Sequence, residues 1–177
     1  KSYSEFVSLI GKAVEKRECN SFQSCLKHPN NPYRGSDSDQ LKIFADCAKL
    51  SYAFRAYFAW KNSLPFSVAD DVELRPVPGN DGDKRYSKFG NVVTSRLDFL
   101  PKKSGQVWKF VDAVKALNRT IPSAVYSANF RFHYEVSDDE KLFADFYPVD
   151  INREAIVPGT NIYDPNGHVA IVYKITD

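Results

Sequence analysis

The sequence predicts an α+β fold in which a central helix packs on an antiparallel β-sheet, with a helical segment in front of it. Three observations carry that expectation. From about Asp46 to Lys61, apolar side chains (Leu50, Ala53, Phe54, Tyr57, Phe58, Trp60) cover most of a helical circumference, the mark of a buried helix. Near the end, Thr160–Tyr163 and His168–Ile175 flank Asp164–Pro165–Asn166–Gly167, which is strong hairpin turn chemistry. At the start, Ser2–Arg17 places Phe6, Leu9, Ile10, Ala13 and Val14 at helical spacing.

Between these elements the signals are mixed. Lys27–Asp39 is rich in Pro, Asn, Gly and Ser and reads as a loop, and Asn62–Ser63–Leu64–Pro65 ends the central helix. Val68–Lys103 carries Pro76, Pro78, Gly79, Gly82 and Gly90 among many charges, which predicts an irregular excursion with a short strand near Asn91–Leu97. Ser104–Leu117 returns to helical spacing. Ala124–Val136 alternates and is aromatic-rich, as a strand would be. Ser137–Phe146 opens Ser–Asp–Asp–Glu, a capped helical turn.

The bulk numbers bound the function. A chain of 177 residues is expected to form one domain (1–177), with a helical part over about 1–38 and a large insertion over about 67–157. Its 24 basic and 22 acidic residues give a net charge of +2 with no basic block, so nucleic-acid binding has no electrostatic support. No apolar run approaches the ~20 residues of a membrane helix. The chain begins at Lys1 rather than Met, which fits a processed, exported protein.

Cysteine usage adds to this. Cys19 and Cys25 enclose a short polar segment and would close a small disulfide in an oxidising compartment, or stay reduced otherwise. Cys47 is then left alone. It falls in the first turn of the central helix, where unpaired amides and the macrodipole favour a thiolate, with Asp46 as N-cap. His168 opens the last strand, sharing a face with the small Ala170 and with Val172, which would let that face approach the helix. A cysteine nucleophile and an imidazole base are the parts of acyl-transfer chemistry, which needs no metal or organic cofactor. His28 and His133 lack the close spacing to cysteine that a zinc site requires.

With these residues in place, the chain resembles the NlpC/P60 branch of the papain-like cysteine hydrolases. The similarity lies in Pro32–Tyr33–Arg34–Gly35, Asp46–Cys47–Ala48–Lys49–Leu50, Leu64–Pro65, Pro158–Gly159–Thr160 and His168–Val169–Ala170–Ile171, in that order. The resemblance implies a papain-like fold and a peptidase or amidase acting on bacterial cell-wall peptides, periplasmic or secreted. It makes Cys47 the nucleophile, His168 the base, Tyr33 a residue that binds substrate or the oxyanion, and Asp46 a contact for a substrate amine. Ala48–Lys49 stands where the family has Ser–Gly, and Thr160 where it has Asp, so the family's preference for a free N-terminal L-alanine is not carried over. The residue that orients the histidine would come from a following strand past Asp177, or be His133 or Asp164. Gln40, seven residues before Cys47, is either a solvated loop residue or, by analogy with papain's glutamine, an oxyanion donor. The aromatic residues of the insertion (Tyr86, Phe89, Trp108, Phe130, Phe132, Tyr134) either fill the core or shape a cleft. Two other functions fit the same features: a catalytically inactive papain-like binding domain, and a papain-like or transglutaminase-like acyl transferase acting on another amide or ester.

Overall fold

The computed structural model describes residues 2–99, 107–133 and 143–176. Helix α1 (Tyr3–Glu15) starts where Ser2 and Glu5 cap each other reciprocally, and it buries Phe6, Val7, Ile10 and Ala13. Its Gly11 has a packing reason. A Cβ there would fall 2.3 Å from the Cβ of Tyr173, so only glycine lets the C-terminal segment lie on this helix.

Helix α2 (Phe22–Lys27) begins inside the short polar segment that the two cysteines enclose, where the sequence predicts no helix. Ser21 accepts from the Ser24 amide, Ser24 reciprocates, and a Cys19–Cys25 disulfide clamps the turn. That leaves Cys47 as the free cysteine. Helix α3 (Cys47–Lys61) is the centre of the molecule. Phe54, Tyr57 and Phe58 meet Phe6 of α1 at ring distances of 5.5–5.9 Å, and Phe22 stacks on Phe54 at 4.7 Å. Aromatic pairs at these separations add to what area burial already contributes.

The excursion after α3 is more regular than its Pro and Gly content suggests. Strands β1 (Phe66–Leu74) and β2 (Asn91–Phe99) pair antiparallel, with the register shifting between Ala69 and Val72. The bulge obscures the period-2 pattern in the sequence, and the charges Asp70, Asp71 and Glu73 sit on the half of the strand away from Val68. Gly90, at φ +78°, leads into β2 where a Cβ would strike the His133 amide nitrogen at 2.6 Å. Residues 67–157 also share the main core: Val68, Phe99, Trp108, Leu117, Ile121, Val125 and Phe130 pack in one cluster with α1 and α3.

Two further expectations are corrected. The helix predicted over Ser104–Leu117 begins only at Phe110, because the Trp108 indole N–H donates to the Leu64 carbonyl at 2.8 Å and holds that segment off the helix. Helix α4 (Phe110–Lys115) then runs through a π-helical turn, Ala116–Thr120, into α5 (Ile121–Ala124). The strand predicted over Ala124–Val136 is a 3-10 turn, Ser127–Phe130, in its described part. The Asn129 side chain accepts from the Tyr126 amide and curls the chain, and Phe130 is buried between Tyr52 and Phe146. Residues 134–136, 104–106 and most of the predicted turn at Ser137–Phe146 lie outside the described residues. The C-terminal hairpin forms as expected but is shorter, β3 (Asn161–Tyr163) against β4 (Val169–Ile171). The architecture is therefore mixed α+β, with two small two-stranded antiparallel sheets set around α3.

Candidate active site

Asp46 adopts an extended backbone, and its carboxylate accepts from the Lys49 amide at 3.0 Å, so α3 begins at Cys47. The thiol is thus on the first helical residue, half-buried, where free amides and the positive end of the macrodipole face it. The Lys49 ammonium pairs with the second Asp46 carboxylate oxygen and lies 5.4 Å from the centre of the Tyr126 ring. Partial burial of Asp46 opposes its ionisation. The Lys49 contacts outweigh that and hold its pKa below the ordinary 3.8. The amine contact expected of Asp46 is therefore already taken by an ammonium of the chain itself.

One turn further along α3, the Ser51 hydroxyl donates to Asn161 Oδ1 at 2.6 Å and pins β3 to the helix. The hairpin has a definite direction along α3. Its open end lies by Tyr3, since Gly159 abuts that ring, and Tyr3 packs edge-on to Phe58 in the second half of the helix. Its turn end lies by Ser127, against Gly167, and Arg131 donates to the Pro165 carbonyl at 3.1 Å. Ser127 follows Tyr126, the ring beneath Lys49. The corner that carries His168 is thus at the Cys47 end of α3.

The imidazole itself faces outward. Val169 is 2% exposed and joins the core, while His168 and Ala170 are exposed. The expectation that the His168–Ala170 face would approach the helix is reversed: Val169 and Ile171 supply the packed side, because a β-branched pair buries more apolar area than Ala170 could. Among the described residues, no hydrogen bond joins the Cys47 thiol to the His168 ring.

Tyr33 is not beside Cys47. Its hydroxyl accepts from Asn62, the C-cap of α3, at 2.7 Å, and its ring packs on Phe6, Tyr57 and Phe58. The far end of this 15-residue helix lies about 22 Å from Cys47 at the α-helical rise. Gln40 is exposed, with its carbonyl receiving the Asn118 amide. Asp164 spends one carboxylate oxygen on the Asn166 amide at 2.6 Å, stabilising its own turn. His133 is half-buried beside Gly90, and His28 faces Glu18 at 3.2 Å. Of the insertion's aromatic residues, Trp108 and Phe130 are core while Tyr86 and Phe89 are exposed; Tyr134 lies outside the described residues.

A polar cluster that the sequence reading missed lies on the flank of α3. Asp145 accepts from the Tyr52 hydroxyl and the Ala69 amide, both at 2.7 Å, and pairs with Arg96. Burial, then the charge of Asp145, pushes the Tyr52 hydroxyl well above its usual range, so it stays a donor. An arginine inside the alternating strand Asn91–Phe99 was the available signal; nothing local marks Asp145 as its partner. Among the described residues, no group of three or more His, Cys, Asp or Glu could hold a metal ion, and no helix is long and apolar enough to cross a membrane. No family model matches the chain, and no curated protein or solved structure matches it either.

Proposed function

We propose that the chain is a cysteine hydrolase of papain-like fold, a peptidase or amidase acting on peptides of the bacterial cell wall, in the periplasm or after secretion. The observation that carries this reading is the shared end of α3: a half-buried free thiol on the first helical residue, and the hairpin corner bearing His168 at that same end. The Cys19–Cys25 bridge fits an oxidising compartment. In the reaction, His168 takes the thiol proton and the Cys47 sulfur bonds to the amide carbonyl carbon. The C–N bond then breaks as the imidazolium returns the proton to the leaving amine. Water, deprotonated by the imidazole, cleaves the thioester, and the thiol and free carboxyl group are released. This requires the exposed imidazole to turn inward.

The test is hydrolysis of peptidoglycan fragments by the wild type and by Cys47→Ala and His168→Ala. Both substitutions should lower turnover by about 10³-fold or more without moving the melting temperature. Unchanged turnover in Cys47→Ala overturns the reading. A second reading, a papain-like domain that binds without cleaving, is favoured by the outward imidazole. It predicts that wild-type protein retains these fragments intact, and that iodoacetamide labels Cys47 at the same rate with or without His168.

A further inference from the structure

A cleft of about 200 Å³ opens on the flank of α3, between Tyr52 and Arg55 of the helix, Phe66 and Ser67 of β1, Arg96 of β2, and residues 144–146. Its charges do not cancel. The Asp145 carboxylate is 7% exposed and is neutralised by Arg96 while also accepting from Tyr52 and the Ala69 amide. Arg96 is fully engaged in turn: one terminal nitrogen pairs with Asp145, the other donates to the Phe143 carbonyl, and Nε donates to Ser67 Oγ at 3.0 Å. Because Ser67 accepts that bond, its own proton is free to point into the cleft.

Arg55 is different. It is exposed and, among the described residues, makes no hydrogen bond or ion pair. Among the described residues the cleft thus carries one positive charge without an ion-pair partner, on a planar, five-donor fork, beside a hydroxyl donor with no acceptor of its own. Pro65, Phe66 and Phe146 supply an apolar wall. Whole drug-sized ligands occupy pockets of roughly 300–1,000 Å³, so this space suits one side-chain-sized group. A guanidinium matches a two-oxygen acceptor bidentately.

We propose that this cleft is a binding site for a carboxylate on a short apolar stem, such as an acidic side chain of a peptide, with Arg55 holding the two oxygens and Ser67 donating to one of them. Arg55 lies two helical turns beyond Cys47, about 12 Å along the axis. That places the acidic group a few residues from a bond held at the thiol, a placement that rests on the hydrolase reading. The binding itself does not rest on it.

The experiment is therefore run in the Cys47→Ala chain. N-acetylglutamate α-amide is titrated while backbone NMR resonances are followed, with the isosteric N-acetylglutamine α-amide and inorganic phosphate as comparisons. Saturating shifts at Arg55, Phe66 and Phe146 are expected for the glutamate probe alone. Arg55→Ala should weaken binding by about tenfold or more, as loss of a charge-assisted pair does. Arg55→Lys, which keeps the charge but not the fork, should fall between. Equal binding of the glutamine probe, tighter binding of phosphate, an unchanged affinity in Arg55→Ala, or no saturable shifts would each overturn the proposal. Failure here leaves hydrolysis at Cys47 intact, and loss of hydrolysis leaves this binding intact.

Discussion

The two ends of α3 are built on opposite principles. At the C-terminal end long-range contacts brace the polar side chains. Tyr57, fully buried, donates to Asp37 at 2.7 Å and accepts from Asn31 at 3.1 Å; Lys61 pairs with Asp37 and lies 3.7 Å from the centre of the Trp60 ring; Asn62 bonds Tyr33. At the N-terminal end, one local ion pair, Asp46–Lys49, stands beside a half-exposed thiol and an exposed histidine. The contrast teaches where freedom has been left in the molecule. Chemistry that needs side chains to move belongs at the end with fewer buried contacts, and the heavily packed end holds that end in place.

Breaking the braced end should have the largest effect on stability. Asp37→Ala removes the acceptor of both Tyr57 and the nearly buried Lys61, and should cost about 3 kcal/mol, as loss of one partner of a buried pair does. Denaturant unfolding measures this, and the iodoacetamide labelling rate of Cys47 in the folded protein should stay as in the wild type. Tyr57→Phe leaves Asn31 and Asp37 each short of a partner and should cost about 2 kcal/mol in the same experiment. Burial, the largest influence on the Tyr57 hydroxyl, pushes its pKa upward, so this loss should not vary across neutral pH.

At the open end the stability effects are smaller. Asp46→Ala removes the N-cap and should cost about 1 kcal/mol, while changing the labelling rate of Cys47 because the Lys49 ammonium is released. The pH dependence of that cost has a definite sign. Asp46 is held below its unfolded value of 3.8, so its contribution is present above that value and is lost as pH falls through the lower folded one. The stability gap between wild type and Asp46→Ala should therefore close in acid and persist at neutral pH. A gap that grew in acid would mean that the carboxylate is not the cap.

Much of the scaffold was legible, for reasons that can be named. Phe6, Leu9, Ile10, Ala13 and Val14 at helical spacing, Asp46 before an apolar run, and Asp–Pro–Asn–Gly between alternating residues are local signals, and α1, α3 and the final hairpin form where they point. Strand β1 was not legible, because a bulge breaks its period, and α2 was not, because its cap and disulfide lie within a polar stretch. The site was half legible. Cys47 sits where its neighbours place it. Tyr33 does not join it, since the order of motifs along a chain carries no distance between them.

The linear chain was enough to specify that the first segment and the central one coil, where those two helices start, and that a lone thiol opens the central helix, because capping and periodicity act over a few residues. Which face of β4 turns inward, which end of α3 Tyr33 reaches, and how Asp145 comes to neutralise Arg96 rather than Arg55 were settled by packing. Those outcomes depend on contacts such as Ser51 to Asn161, 110 residues apart, and Tyr52 to Asp145, 93 apart. At such separations a contact forms only when burial of the shared core repays closing the loop, and no local pattern records that balance.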